Sequence, residues 1–249
     1  MPPISKGVLI AVDNQLEWML PWWWHHYRHT NSAPVCCIDL GLSSSMQKWV
    51  EKRATLIPFT AASFSFSSSL LETWEQNYFG NVAAQRQVWW KKPFALALTP
   101  FSQTIWLDID CEVKKDLEPL FHYKFALCKE TEASRARAIN LGLIEKNALL
   151  CNSGVIAFEK NHPLIQKWCS HIATHYSYHM GDQEVLSAML TKEKIEITFL
   201  PQIYNWRKIS VIPEDVAIIH HVSLAGKRNI LAMLMELMLL KSGEAFEST

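Results

Sequence analysis

Hydrophobic residues along this chain fall into short unbroken runs, separated by stretches in which they recur every three or four positions. Residues 7–12 (GVLIAV) form such a run, closed by Asp13-Asn14, and read as a buried strand ending in a turn. Residues 34–40 (PVCCIDL) repeat the form. A run ending at Asp108, together with 155–158, 195–200 and 216–220, supplies further predicted strands. The intervening stretches read as helices. They are 16–30, rich in aromatics with Pro21 at a break or first turn; 46–53, behind a Ser43-Ser44-Ser45 cap; 81–98, with Pro93 inside; 163–176; 182–190; and 229–241. Residues 61–70, rich in serine and phenylalanine, read as loop and short helix. Strands alternating with helices predict an α/β fold with a mostly parallel central sheet flanked by helices. With no internal repeat, low-complexity tract or linker, a single domain over 1–249 is expected.

Composition narrows the picture. Hydrophobic residues make up 49% of the chain, enough for a full core. The formal net charge is +0, which argues against nucleic-acid binding by bulk electrostatics. The 11 tryptophans are many for this length, and several are expected to line a groove as well as fill the core. The 6 cysteines show no zinc spacing, and the N-terminus reads as a first strand rather than a secretory leader. Together they suggest a reducing, cytoplasmic setting. No apolar run approaches the roughly 18 residues of a membrane span. The apolar helix over 230–240 is left to bury against the sheet, lie on a membrane surface or pair in a dimer, with core packing or pairing favoured by its few flanking cations.

The most informative chemistry is TIWLDIDCEV, 104–113. Its apolar run ends in two acids one residue apart, Asp108 and Asp110. On a strand these side chains would share a face, with Ile109 opposite. Paired carboxylates are costly unless a cation neutralises them, and hard divalent ions favour such an oxygen-rich arrangement. The carboxyl end of a buried strand is also where ligands sit in open α/β sheets.

Four segments then follow in order: WLDIDCEV, CNSGVIAF, GDQEVLSAM and IIHHVSLAGK. In this order the chain resembles the GT-A class of nucleotide-sugar-dependent glycosyltransferases, with a Rossmann-like fold. It is most similar to family 8 and its relatives, glycogenin and the bacterial lipopolysaccharide galactosyl- and glucosyltransferases. The resemblance runs from Gly7 to Lys227. It implies transfer of a sugar from a nucleoside-diphosphate sugar, UDP-linked in preference, to an acceptor it does not identify, with retention of configuration. It implies a divalent cation, manganese ahead of magnesium, held by Asp108 and Asp110, with Asp108 also touching the ribose. A histidine, His221 or His220, would be the third ligand, and Lys227, six residues after His221, would bind phosphate. Leu224 stands where relatives carry glycine, and Arg228-Asn229 replaces a proline-tryptophan pair.

The same resemblance implies roles for further residues. Lys91 lies where relatives carry a donor-binding arginine, with Lys92 and Arg86 as neighbouring alternatives. Asn152 in the Asn-Ser-Gly turn would bind donor-sugar hydroxyls, its glycine letting backbone approach the ligand. Asp182 and Gln183 would hold the sugar and supply the catalytic groups, Asp182 also being a candidate helix cap. Val12 and Asp13 would contact base and ribose. Trp22-Trp23-Trp24 read as helix packing, and His25, His26 and His29 have no acid cluster nearby in sequence to suggest a second metal. Two rival functions share these features. One is a haloacid-dehalogenase-type phosphatase, in which the first Asp would be a nucleophile. The other is a sugar-nucleotide-binding protein without turnover.

Overall fold

The computed structural model describes residues 5–60, 88–175, 179 and 181–247. The segment expected as loop over 61–70, the first part of the helix expected over 81–98, and Arg86 lie outside them.

Seven strands form the main sheet: β1 (Lys6–Val12), β2 (Val35–Asp39), β3 (Thr55–Pro58), β4 (Gln103–Leu107), then, after a short strand β5 (Cys111–Val113), β6 (Phe125–Lys129), β7 (Cys151–Glu159) and β8 (Thr198–Leu200). Their spatial order is β3-β2-β1-β4-β7-β6-β8, and β5 pairs separately with β9 (Ile218–His220). Strands β3, β2, β1 and β4 are parallel, β7 runs against both its neighbours, and β8 is parallel to β6. The strand order reverses at β1/β4, so a crevice opens beyond the carboxyl ends of these two strands.

Alternation along β1 divides the core. Val8, Ile10 and Val12 face one layer and Leu9 the other. The first layer holds α1 (Leu20–Thr30), α2 (Ser44–Glu51) and α7 (Ser223–Glu247). The second holds α3 (Lys92–Ala97), α5 (Pro163–His175) and α6 (Asp182–Glu193). Helix α4 (Glu132–Asn140) follows β6. Trp22, Trp23, Trp90 and Trp168 are fully buried, so most of the aromatic weight packs the two layers. On α7, Ile230 and Leu234 enter the core while Leu224, Leu231, Met235 and Met238 are exposed. Among the described residues no helix is long and apolar enough to cross a membrane.

Three expectations change. Asp108 and Asp110 are not on a strand: β4 stops at Leu107, and the Asp108 carbonyl accepts from Cys111 N at 3.0 Å, closing a tight turn before β5. Asn152-Ser153-Gly154 is not a turn but the start of β7, which is longer than its apolar stretch suggested. Pro93 is not mid-helix but opens α3, where its missing N–H costs nothing.

Candidate active site

The end of β4, the start of β7, the end of β6 and the N-terminal turns of α3, α6 and α7 meet around one cleft. It has two lobes. A polar lobe of about 270 Å³ is lined by Glu130, Asn152, Asp182, Gln183, Arg207 and His220, among others. A lobe of about 410 Å³ with a more apolar lining lies against Ala11, Asp13, Leu16, Leu40, Trp106 and Ile109. Trp89, Lys92, Asp108, Asp110, Ser223 and Lys227 line both, so the two acids stand at the junction.

Each acid is held in place by its own partners. Asp108 accepts from Trp106 Nε1 at 2.8 Å, and Lys92 Nζ lies 3.0 Å from its Oδ1. Asp110 accepts from Lys227 Nζ at 2.5 Å, and its Oδ1 lies 3.2 Å from His220 Nε2. Burial pushes the Asp110 carboxyl upward, but His220 and Lys227 outweigh it and hold the group well below the ordinary carboxylate range. Lys92 is opposite in sign: burial disfavours its charge, yet Asp108 and Asp182 raise it above the usual lysine value. Lys92 also donates to Ser153 Oγ at 2.9 Å, and Ser153 Oγ donates to Asp182 Oδ2 at 2.7 Å. One buried ammonium thus ties the turn after β4 to β7 and α6.

The expected site residues divide as follows. Of the two histidines, His220 reaches the acids. His221 turns to the other side, where its Nε2 lies 2.9 Å from Glu112 Oε2. Lys92, not Lys91, enters the cleft, while Lys91 Nζ lies 5.8 Å above the Phe59 ring. Asp182 makes no cap: Gly181 is the capping position, and the Asp182 carboxylate faces Ser153 and Lys92. Burial raises its pKa, against the pull of Lys92. Gln183 lines the polar lobe. Asp13 lines the apolar lobe, and its Oδ1 accepts from the amides of Gln15 and Leu16, each at 3.1 Å. Val12 has its side chain in the core. Asn152 spends its Oδ1 on Gly154 N at 2.9 Å and Asn205 Nδ2 at 2.7 Å, and donates to Glu130 at 3.0 Å. Gly154 is required for another reason than ligand approach: a Cβ there would sit 2.6 Å from His220 Nδ1, so the missing side chain admits the imidazole.

Sequence reasoning passed over six residues of this region. Glu130 and Arg207 form an ion pair in the cleft wall, and Asn205 lies buried behind it. Glu184 lines the polar lobe with Oε2 lacking a hydrogen-bond partner; burial, then the nearby Asp182 charge, raises it to about 7. The Cys111 thiol lies with Asp110 and His220 in the one group of possible metal ligands found among the described residues, their atoms all within 4.8 Å of one another. Burial pushes that thiol far above its ordinary value, and it points at the Gly154 carbonyl, 3.7 Å away. Ser223, at the start of α7 on the rim of both lobes, adopts φ 68°, a strained conformation for a side-chain-bearing residue. Only the spacing around the Asp pair and the GDQ segment carried a local signal. Glu130, Asn205 and Arg207 are brought in by topology.

A divalent cation fits the Asp110–His220 spacing, with Asp108 somewhat farther off. His220 Nε2 lies 3.2 Å from Asp110 Oδ1 and 3.9 Å from Asp108 Oδ2. The edge of an octahedron with bonds of about 2.1 Å is about 3 Å.

No protein-family model and no curated protein matches the sequence. Solved structures do. An active-site mutant of LgtC, glutamine replaced by glutamate, superposes with TM-score 0.57 at 13% identity, covering 92% of this chain and 96% of that one. The chain has the GT-A fold. The galactosyltransferase LgtC with donor and acceptor sugar analogues gives TM-score 0.55 at 14% identity over 89% of this chain and 88% of that one. Mouse xyloside xylosyltransferase 1 gives 0.55 at 12% identity, over 87% and 97%. The glycosyltransferase GlyE of Streptococcus pneumoniae gives 0.56 at 16% identity, over 88% of this chain but 56% of its own. The GT-A fold puts the cleft at the sheet's strand-order reversal.

Proposed function

We propose that this chain is a metal-dependent glycosyltransferase that moves a sugar from a nucleoside-diphosphate sugar, UDP-linked in preference, to an acceptor, with retention of configuration. The observation that carries this reading is the convergence of Asp108, Asp110 and His220 at the junction of an apolar and a polar lobe. A donor of this class has the same order: a flat base, a dianionic diphosphate and a hydroxyl-rich sugar. The galactosyltransferase LgtC, whose fold this chain shares, has been solved with donor and acceptor sugar analogues.

In this reading the base lies in the lobe beside Asp13 and Leu16, and the diphosphate at the acids. A divalent cation held by Asp108, Asp110 and His220 would neutralise charge on the departing diphosphate. Two carboxylates with one imidazole favour manganese over magnesium. Lys227, the fifth residue of α7, exchanges Asp110 for a phosphate oxygen, aided by the positive end of that helix. Lys92 stays where it is, because moving it would expose Asp108 and Asp182 to one another. The sugar enters the polar lobe, where Asp182 and Gln183 pair with adjacent hydroxyls and face the developing positive charge at the anomeric carbon. Glu184, whose Oε2 has no hydrogen-bond partner, is a second carboxyl group available on that side. The LgtC mutant was made at an active-site glutamine, which recommends Gln183→Glu as a matching probe here.

The test is a panel of UDP-, GDP- and ADP-sugars incubated with manganese and assayed for release of the nucleoside diphosphate. Turnover of at least one donor, in the presence of a glycan acceptor or slowly by hydrolysis, is expected. Tight binding of donors with no release under any condition would leave a binding protein and sink the transferase reading.

A further inference from the structure

A line of polar side chains runs from the cleft wall to the back of His220, and every hydrogen bond in it has its direction fixed from one end. That end is Glu130, ion-paired with Arg207, which donates to its Oε2 at 3.1 Å. The same guanidinium bonds Thr131 Oγ1 and Ser134 Oγ, each at 3.0 Å, and so cannot swing away freely. A carboxylate in such a pair can only accept. Asn152 must therefore donate its Nδ2 to Glu130, at 3.0 Å, which turns its Oδ1 to the other side. That oxygen accepts from Gly154 N and from Asn205 Nδ2. Asn205 is thereby oriented in turn, its Oδ1 facing His220 Nδ1 at 2.9 Å. An amide oxygen can only accept, so His220 carries a proton on Nδ1 and presents Nε2 to the acids.

We propose that Asn205 is a positioning residue for His220, and that Glu130, held by Arg207, sets its orientation through Asn152. The consequence for metal affinity rests on reading His220 as the cation's nitrogen ligand; the tautomer does not. Asn205 is 2% exposed and lies outside the cleft lining, so it acts through the imidazole and not on a substrate. The ring packs directly against the backbone of Gly154, where a Cβ would sit 2.6 Å from its Nδ1. Outer partners of metal-bound histidines, when removed, typically lower metal affinity ten- to a hundredfold. Because Glu130 and Arg207 also line the polar lobe, whatever binds there presses on the same line of bonds.

The experiment pairs two readouts on the whole chain. Long-range proton–nitrogen NMR of protein labelled at histidine nitrogen, with magnesium as a diamagnetic ion, reads which nitrogen of His220 bears the proton. Calorimetry reads manganese affinity. Wild type should show the Nδ1–H form. Asn205→Leu should lose it and bind manganese ten- to a hundredfold more weakly, with cooperative unfolding retained. Asn205→Asp keeps an acceptor facing Nδ1 and should restore the Nδ1–H form, but its second oxygen then meets Asn152 Oδ1 with no proton to donate, so manganese affinity should recover only in part. Asn205→Ser replaces the leucine variant if that one does not fold. A folded Asn205→Leu protein that keeps the Nδ1–H signal and full manganese affinity overturns the proposal. Loss of the Nδ1–H form in a protein whose wild type binds no manganese upholds the positioning role and removes the metal reading instead.

Discussion

His220 and His221 are neighbours in the chain and stand in opposite surroundings. His220 has Asp110 in front, Asn205 behind and a cleft to one side. His221 has Glu112 in front and packs edge-to-face with Trp22, ring centroids 5.6 Å apart, and its buried Nδ1 finds no hydrogen-bond partner among the described residues. The second cluster is rich in charged and imidazole groups as well: Glu112 also meets His26 at 3.7 Å and Lys114 at 3.1 Å. It lacks the close convergence of ligand atoms found at Asp110, Cys111 and His220, and an opening, since neither lobe of the cleft is lined by it. Acids, histidines and a lysine in contact therefore do not define a site. The pairing of β5 with β9 creates both clusters, and only the one facing the strand-order reversal is available to a ligand.

The contrast breaks most plainly at Asp110. Asp110→Asn removes one charge while keeping the shape, so sugar transfer should fall on the order of a thousandfold or more with the fold intact. Near-normal rates in a folded variant would remove Asp110 from the reacting centre.

The histidines give the next largest effect, in opposite currencies. His221→Ala leaves Glu112 buried without its closest partner and should cost roughly 2–4 kcal/mol of stability, with manganese affinity unchanged. His220→Ala should weaken manganese at least tenfold and cost less stability. Chemical denaturation and calorimetry on both variants decide it; the reverse pattern would exchange the two roles.

Two buried glutamates repeat the contrast in their titration. Burial pushes Glu112 up, but the His221 hydrogen bond and then His26 pull it down to about 2. Its contribution is complete above the ordinary value near 4.5 and is lost as pH falls toward 2. His26, lowered to about 4 chiefly by burial, loses stability over 6.5 to 4 in the same direction. Glu184 is raised from 4.5 to about 7, so its ionisation costs stability as pH climbs through that interval, fully so above it. Glu184→Gln should therefore stabilise the ligand-free protein at pH 8 by up to about 3 kcal/mol and change little below pH 4.5. Unfolding curves at the two pH values that shift equally would show that burial does not raise Glu184 as described.

The fold was readable where apolar runs were long or closed by clear turns. Residues 7–12 and 34–40 correspond to β1 and β2, and the run into Asp108 to β4. Strands β3, β5 and β6 were missed because three to five residues of mixed character give no period to count. The acids at 108 and 110, the GDQ segment and Lys227 were legible because chemistry and spacing sit together in sequence. Glu130, Asn205 and the choice between His220 and His221 were not. Each depends on contacts 15 to 109 residues apart, which only the sheet order supplies. The resemblance suggested Lys91 where Lys92 enters the cleft, a difference of one position that a helix start resolves and a motif does not.

The smallest effect tests the division between the lobes. Asp182→Ala should weaken a sugar nucleotide about tenfold more than the corresponding nucleoside diphosphate, a difference of about 1.4 kcal/mol. Equal losses would make Asp182 a support for Lys92 rather than a sugar contact.

The central claim is that Asp108, Asp110 and His220 bind a nucleoside-diphosphate sugar through a divalent cation. Calorimetry of UDP, GDP and their sugars against the purified protein, with manganese and then with excess chelator, tests it most directly. Binding that needs manganese and vanishes in chelator is the predicted result. Equal affinity in the two conditions would contradict the account.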